Sequence, residues 1–109
     1  MARTRKKTTP AYGFFVEFEA KPEKEGDLVR FLTDAKSLVD AEPGTPVWFG
    51  FRLGPSSFRI FDAFETEEDR EAHLQGEVRR QLELRGEELF AVPPKITPVG
   101  LPAAKLAPH

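Results

Sequence analysis

Phe58-Arg59-Ile60-Phe61-Asp62-Ala63-Phe64-Glu65-Thr66-Glu67-Glu68-Asp69-Arg70-Glu71-Ala72-His73-Leu74-Gln75-Gly76 is the stretch whose reading decides the fold. Residues 57–64 alternate with the period of two of a pleated strand, placing Phe58, Ile60, Asp62 and Phe64 opposite Arg59, Phe61 and Ala63. Thr66 followed by Asp69 forms an approximate capping box, and Glu67 and Glu68 suit the positive end of a helix dipole. A helix is therefore predicted from about Glu67, kinked or divided at Gly76. This strand, capped turn and helix hold the only internal histidine, His73, and a carboxylate, Asp62, that interrupts an apolar face.

The elements on either side follow from the same rules. Upstream, Gly54-Pro55-Ser56-Ser57 reads as a hairpin connection to a strand over 45–53, with Val47, Phe49, Phe51 and Leu53 opposite Trp48, Gly50 and Arg52. Glu42-Pro43-Gly44-Thr45 ends a helix predicted from Pro22 or Glu23 to about Ala41, whose inner face is Leu28, Phe31, Leu32, Ala35 and Val39. Before it lies a strand over 12–20, where Phe14, Val16 and Phe18 alternate with Phe15, Glu17 and Glu19. Downstream, Leu74, Val78 and Leu82 continue the second helical face, Pro93-Pro94 is a rigid link, and 95–106 reads as an edge strand because of Pro98 and Pro102. The order strand, helix, strand, strand, helix, strand is that of an α+β, ferredoxin-like βαββαβ fold, with an antiparallel sheet and both helices on one face. It fills residues 11–106, leaving a flexible basic tail at 1–10 and a short terminus at 107–109.

With 109 residues there is room for one domain. The net charge of −2, about −6 without the four basic residues of the tail, argues against a nucleic-acid binder. No cysteine is present, which excludes disulfides and thiolate chemistry, and the single internal histidine argues against a metal site. No apolar run approaches the roughly 20 residues of a membrane span, and the N-terminus lacks the apolar core of a signal peptide, so a cytoplasmic protein is expected. There is no phosphate-binding glycine loop and no nucleophile elbow.

Ten phenylalanines and one tryptophan place apolar groups on both faces of the sheet: Phe14, Phe58 and Ile60 on one, Phe15 and Phe61 on the other. Helices cover only one of those faces, so a second copy packed sheet to sheet is expected, giving a homodimer.

The segments Glu42-Pro43-Gly44-Thr45 with Trp48 just after, Ile60-Phe61-Asp62-Ala63-Phe64, and Arg70-Glu71-Ala72-His73-Leu74-Gln75-Gly76 resemble the antibiotic biosynthesis monooxygenase family, in particular its small quinol-monooxygenase-like members. The resemblance covers about residues 12–106. It implies a dimeric α+β barrel with a pocket in each subunit between the sheet and its own helices. It also implies oxidation of a small aromatic quinol or phenol by O₂ without cofactor or metal, with Trp48 and His73 at the family's recurrent tryptophan and histidine. Two departures stand out. Asp62-Ala63-Phe64 replaces an acidic residue, spacer and tryptophan, and Gly76, Glu77 and Val78 stand where haem-degrading relatives carry a second histidine.

Each candidate side chain has two open roles. His73 is either a general base for a phenolic proton or a helix histidine bonded to Asp62 or backbone. Asp62 either orients His73 or touches substrate, or it anchors Arg52, Arg59 or a backbone amide. Trp48 either stacks on an aromatic ligand or fills core or interface, and Phe49, Phe51, Phe61 and Phe64 divide between pocket wall and core in the same way. Arg52 binds either a phenolate or a surface carboxylate. A small aromatic molecule is the expected ligand. The rival to an enzyme is a dimeric ligand-binding or stress-response protein of the same fold without chemistry.

Overall fold

The computed structural model describes residues 9–106. Four strands, β1 (Tyr12–Glu19), β2 (Val47–Arg52), β3 (Ser57–Phe64) and β4 (Lys95–Gly100), and three helices, α1 (Glu25–Asp40), α2 (Glu67–Leu74) and α3 (Glu77–Leu89), follow in the order β1 α1 β2 β3 α2 α3 β4. The sheet is antiparallel with strand order β2-β3-β1-β4, the ferredoxin-like arrangement expected. The second predicted helix is divided at Gly76, which caps α3 in an extended conformation. The 1–10 tail and the 107–109 terminus fall mostly outside the described residues; Pro10 is buried and Ala11 N–H donates to Phe64 O at 3.0 Å.

The predicted inner face of α1 is the observed one: Leu28, Phe31, Leu32, Ala35 and Val39 are buried. Leu28, Phe31 and Leu32 pack with Phe14, Val16 and Phe18 of β1, Phe58, Ile60 and Phe64 of β3, and Leu82 and Leu89 of α3, while Ala35 and Val39 pack with Val78 of α3. Phe90, just after α3, stacks on Phe18 with ring centroids 5.1 Å apart. At about 25 cal/mol per Å² of apolar surface, this layer supplies most of the driving force for folding.

Three expectations need correction. Helix α1 starts at Glu25, because Lys21-Pro22-Glu23-Lys24 forms a turn first: Lys24 N–H donates to Lys21 O at 2.9 Å and Glu23 takes φ 70°. Proline followed by a positive-φ residue marks a type II turn, but with glutamate in place of the usual glycine the sequence carried no sign of it. Strand β4 stops at Gly100, opposite Tyr12, and Pro102 has no N–H with which to extend the ladder to residue 106. The helix-free face is apolar over part of its area only. The row Phe15, Phe61, Phe49 runs across β1, β3 and β2, and the next row in the same direction is Lys95, Glu17, Arg59, Phe51. Among the described residues, no helix is long and apolar enough to cross a membrane.

Candidate functional site

Asp62, on the helix-covered face of β3, lies opposite Trp48 of β2 and Phe14 of β1. Helix α2 brings the histidine to it. Thr66 Oγ1 accepts the Asp69 N–H at 3.0 Å and fixes where the helix begins, and about two turns later His73 points back to the sheet. His73 Nε2 is 3.2 Å from Asp62 Oδ2, and its ring lies 5.3 Å from that of Phe64, centroid to centroid. Among the described residues, Asp62 and His73 are the two polar or charged ones that are buried, Asp62 at 2% exposure.

The other ring nitrogen shows a partner that sequence reading missed. His73 Nδ1 is 2.6 Å from Glu42 Oε1, in the loop after α1. That same oxygen accepts the Thr45 hydroxyl at 2.8 Å. Gly44 lets the loop approach α2, since a Cβ there would lie 2.9 Å from Asp69 Oδ1. Glu42 was read only as part of a helix stop, although it opens one of the segments that carry the family resemblance.

The electrostatics follow from burial and from these contacts. Burial raises the Asp62 carboxyl above its ordinary value, and the hydrogen bond from His73 offsets only part of that. Burial alone would lower His73, but hydrogen bonds to Asp62 and Glu42 outweigh it and leave the imidazole raised. The array is an imidazole held between two acidic side chains, one buried and one partly exposed.

Beside it lies a void of about 30 Å³, bounded by Trp48, Asp62, His73, Phe14, Ile60 and Leu82 among others. That is the scale of one or two water molecules. Two polar atoms of the residues around it are buried with no hydrogen-bond partner among the described residues: Trp48 Nε1, which can only donate, and Asp62 Oδ1, which accepts when ionised. A wider cleft of about 530 Å³ lies between the C-terminal half of α3 and the link to β4, and it shares Arg79, Leu82 and Ile96 with the void.

The structure thus brings Trp48, Asp62, Phe64 and His73 together. Phe49, Phe51 and Phe61 lie on the opposite face of the sheet. Arg52 serves its own hairpin, donating to Gly54 O at 3.2 Å and Pro55 O at 2.7 Å and lying over the Phe58 ring. The partners of Asp62 are neither Arg52 nor Arg59 but His73 and, as the alternative of a backbone amide foresaw, the backbone of Phe14.

No family profile matches the sequence, and no curated protein matches it. Among solved structures, the NE2512 protein of unknown function from Nitrosomonas europaea superposes with a TM-score of 0.88 at 43% identity, over 92% of this chain and 97% of that one. A "putative antibiotic biosynthesis monooxygenase" from the same organism superposes with a TM-score of 0.75 at 19% identity, over 84% and 99%. A protein of the same description from Chloroflexus aurantiacus gives 0.68 at 18%, over 87% and 96%. At such identities the last two speak for the fold alone.

Proposed function

This chain belongs to the family of the Nitrosomonas europaea NE2512 protein and has the fold of the antibiotic biosynthesis monooxygenases, and from that premise we propose that it is a cofactor-independent monooxygenase acting on a small aromatic quinol or phenol. The observation that carries the proposal is the Glu42–His73–Asp62 array, with Asp62 and His73 buried, next to an indole.

The chemistry requires an ionised, electron-rich ring. A ring C–H of the phenolate takes up O₂, one oxygen atom stays as a carbonyl, the other leaves as water, and the substrate supplies all the electrons. The protein's part is to remove a proton and exclude solvent. Both nitrogens of His73 are engaged, so the proton passes first to Asp62, whose Oδ1 has no partner. A carboxylate raised by burial is a stronger base than an exposed one. His73 holds the other oxygen of Asp62 and links it to Glu42, whose side chain is partly exposed and opens on a cleft lined by Lys36, Asp40 and Thr45. Asp62 is thus the catalytic base, with His73 and Glu42 as positioning residues. This assignment exchanges the roles that sequence reading gave to His73 and Asp62.

Oxygen uptake on a panel of dihydroquinones and anthrones tests the proposal. Turnover of at least one compound is expected, Asp62→Asn should lower kcat by about 100-fold or more, and Glu42→Gln should displace the pH–rate profile. The small volume beside His73 favours a second reading, a ligand-binding protein in which the array is a structural anchor. Binding of aromatics without oxygen uptake would decide for it. We also propose that the protein acts as a homodimer joined through the Phe15, Phe61 and Phe49 row, which light scattering tests as a mass of twice 12.3 kDa.

A further inference from the structure

Helix α2 carries His73 to Asp62, yet little apolar surface holds that helix down. His73 is the one buried residue of α2, and Leu74 is packed only in part against the core. A second polar side chain of the same helix reaches the sheet. Arg70 lies about one turn before His73, on the same side of α2. Its guanidinium is 5.5 Å from the ring centroid of Tyr12 and 5.5 Å from that of Phe14. Nη1 donates to Gly13 O at 3.4 Å and to Val99 O at 3.2 Å. Tyr12 and Phe14 flank Gly13 on β1, and Val99 is the partner of Gly13 on β4. One cation thus grips two strands at a single register.

Charge pairing does not explain this placement. The side chain of Arg70 is 20% exposed, whereas the carboxylate near it, Glu67 at 3.9 Å, is largely exposed. A surface pair of that kind contributes little. A planar guanidinium stacks on rings and donates in a fixed fork, which an ammonium does not. The contacts lead back to the array. Phe14 is the cross-strand neighbour of Asp62, and its backbone is hydrogen-bonded to the Asp62 carboxyl. The Phe14 ring meets that of Phe64 edge-on at 6.1 Å, and the Phe64 ring lies 5.3 Å from that of His73. Arg70 is therefore joined to His73 through its own helix and to Asp62 through Phe14. It does not border the void, so it acts through residues that do.

We propose that Arg70 is a positioning residue for the array: it fixes α2 on β1 and β4 at the distance that lets His73 meet Asp62. As a contribution to catalysis this rests on the proposed function, but the hold on the array is measurable without any substrate.

Long-range ¹H–¹⁵N NMR of the imidazole nitrogens, followed through a pH titration, is that measurement. The groups facing His73 are Asp62 from β3 and Glu42 from the α1–β2 loop, with Arg79 of α3 bordering the same void. Arg70→Met keeps an apolar stem over the two rings and removes the donors. Its His73 midpoint is expected to fall from the raised wild-type value toward the ordinary 6.5, as the hydrogen bonds to Asp62 and Glu42 loosen. Arg70→Lys keeps the charge but not the fork, and should move the midpoint the same way by less. Arg59→Ala, which removes a guanidinium from the open face, should leave it in place. On any compound that the wild type turns over, Arg70→Met should lower kcat about tenfold or more with KM little changed. An unchanged midpoint in both Arg70 variants, or an equal fall in Arg59→Ala, would overturn the proposal. A fallen midpoint with kcat unchanged, or with no turnover by the wild type, would leave Arg70 as the residue that positions the array while rejecting the array as a catalytic centre.

Discussion

On each face of the sheet one basic side chain stands between two carboxylates. On the covered face His73 lies between Asp62 and Glu42, at 3.2 and 2.6 Å. On the open face Arg59 lies between Glu17 and Glu19, at 3.8 and 3.7 Å. The charge pattern is the same and the surroundings are not. Asp62 is 2% exposed, whereas the side chains of Glu17 and Glu19 are 34% and 44% exposed. Water screens the open set and leaves each member a substitute partner, while the buried Asp62 and His73 depend on protein groups to satisfy them. Equal numbers of ion pairs thus carry very different energies, and in the covered set burial raises the Asp62 carboxyl.

The largest effect is expected from removing the central histidine of the covered set. His73→Ala leaves Asp62 buried without its side-chain partner and Glu42 with only the Thr45 hydroxyl, which should cost about 3–5 kcal/mol in urea denaturation. The double variant Asp62→Leu/His73→Leu should recover part of this, because two apolar side chains replace the pair together. A single variant as stable as the wild type would mean that the array is wetter than its burial indicates.

Next comes the apolar part of the open face. Phe49, the most exposed of the row at 62%, is the residue to change. If a second copy covers it, Phe49→Asp should lose the burial of a phenylalanine, worth about 1.5–3 kcal/mol of association. Sedimentation at several concentrations should then show the variant as monomer where the wild type is dimer. Unchanged mass across the two proteins would remove the covered-face reading of Phe15, Phe61 and Phe49.

A smaller difference should appear in pH dependence. The folded pKa of His73 is raised above its ordinary value of 6.5, so the native state binds its proton more tightly than the unfolded chain. The associated stability is complete below pH 6.5 and is lost as pH rises through the folded value. Asp62 is also raised and acts in the same sense from 3.8 upward. The groups facing His73 are Asp62 from β3 and Glu42 from the α1–β2 loop, while Arg79 of α3 borders the void and pairs with Glu83. Urea midpoints should therefore fall from pH 6.5 to 8.5 in the wild type and fall less in His73→Gln. A midpoint that rises over this range in the wild type would reverse the sign and the assignment.

The two sets were also unequally legible in the sequence. His73 and Asp62 were visible because one was the only internal histidine and the other the only charge on an apolar strand face. Glu42 was not, since it lies 31 residues from His73 and a glutamate before proline and glycine already has a local explanation as a helix stop. Trp48 was correctly grouped with Gly50 and Arg52 by the period of two, but aromatic residues on both sides of β2 left the inward side undetermined. The fold was legible because alternation and helical spacing repeat over many residues. The site depends on two single contacts between separate elements, His73 to Asp62 and His73 to Glu42, which no periodicity records.

The smallest effect is the most informative about the open face. Arg59→Ala removes pairs of 3.7 and 3.8 Å to half-exposed glutamates, and in a subunit whose open face meets water it should cost about 1 kcal/mol or less. Arg59 also donates to Ser57 Oγ at 3.0 Å and Phe58 O at 2.9 Å, bonds that water can replace. If a second copy seals that face, the same substitution leaves Glu17 and Glu19 facing each other in a drier space and costs more. Measuring Arg59→Ala in the wild type and again in Phe49→Asp therefore gives a coupling energy that reports the cover itself. A cost that shrinks when Phe49 is changed means the open set owes its strength to the partner subunit. Equal costs in both backgrounds mean that solvent, not a second copy, sets the energy of these pairs.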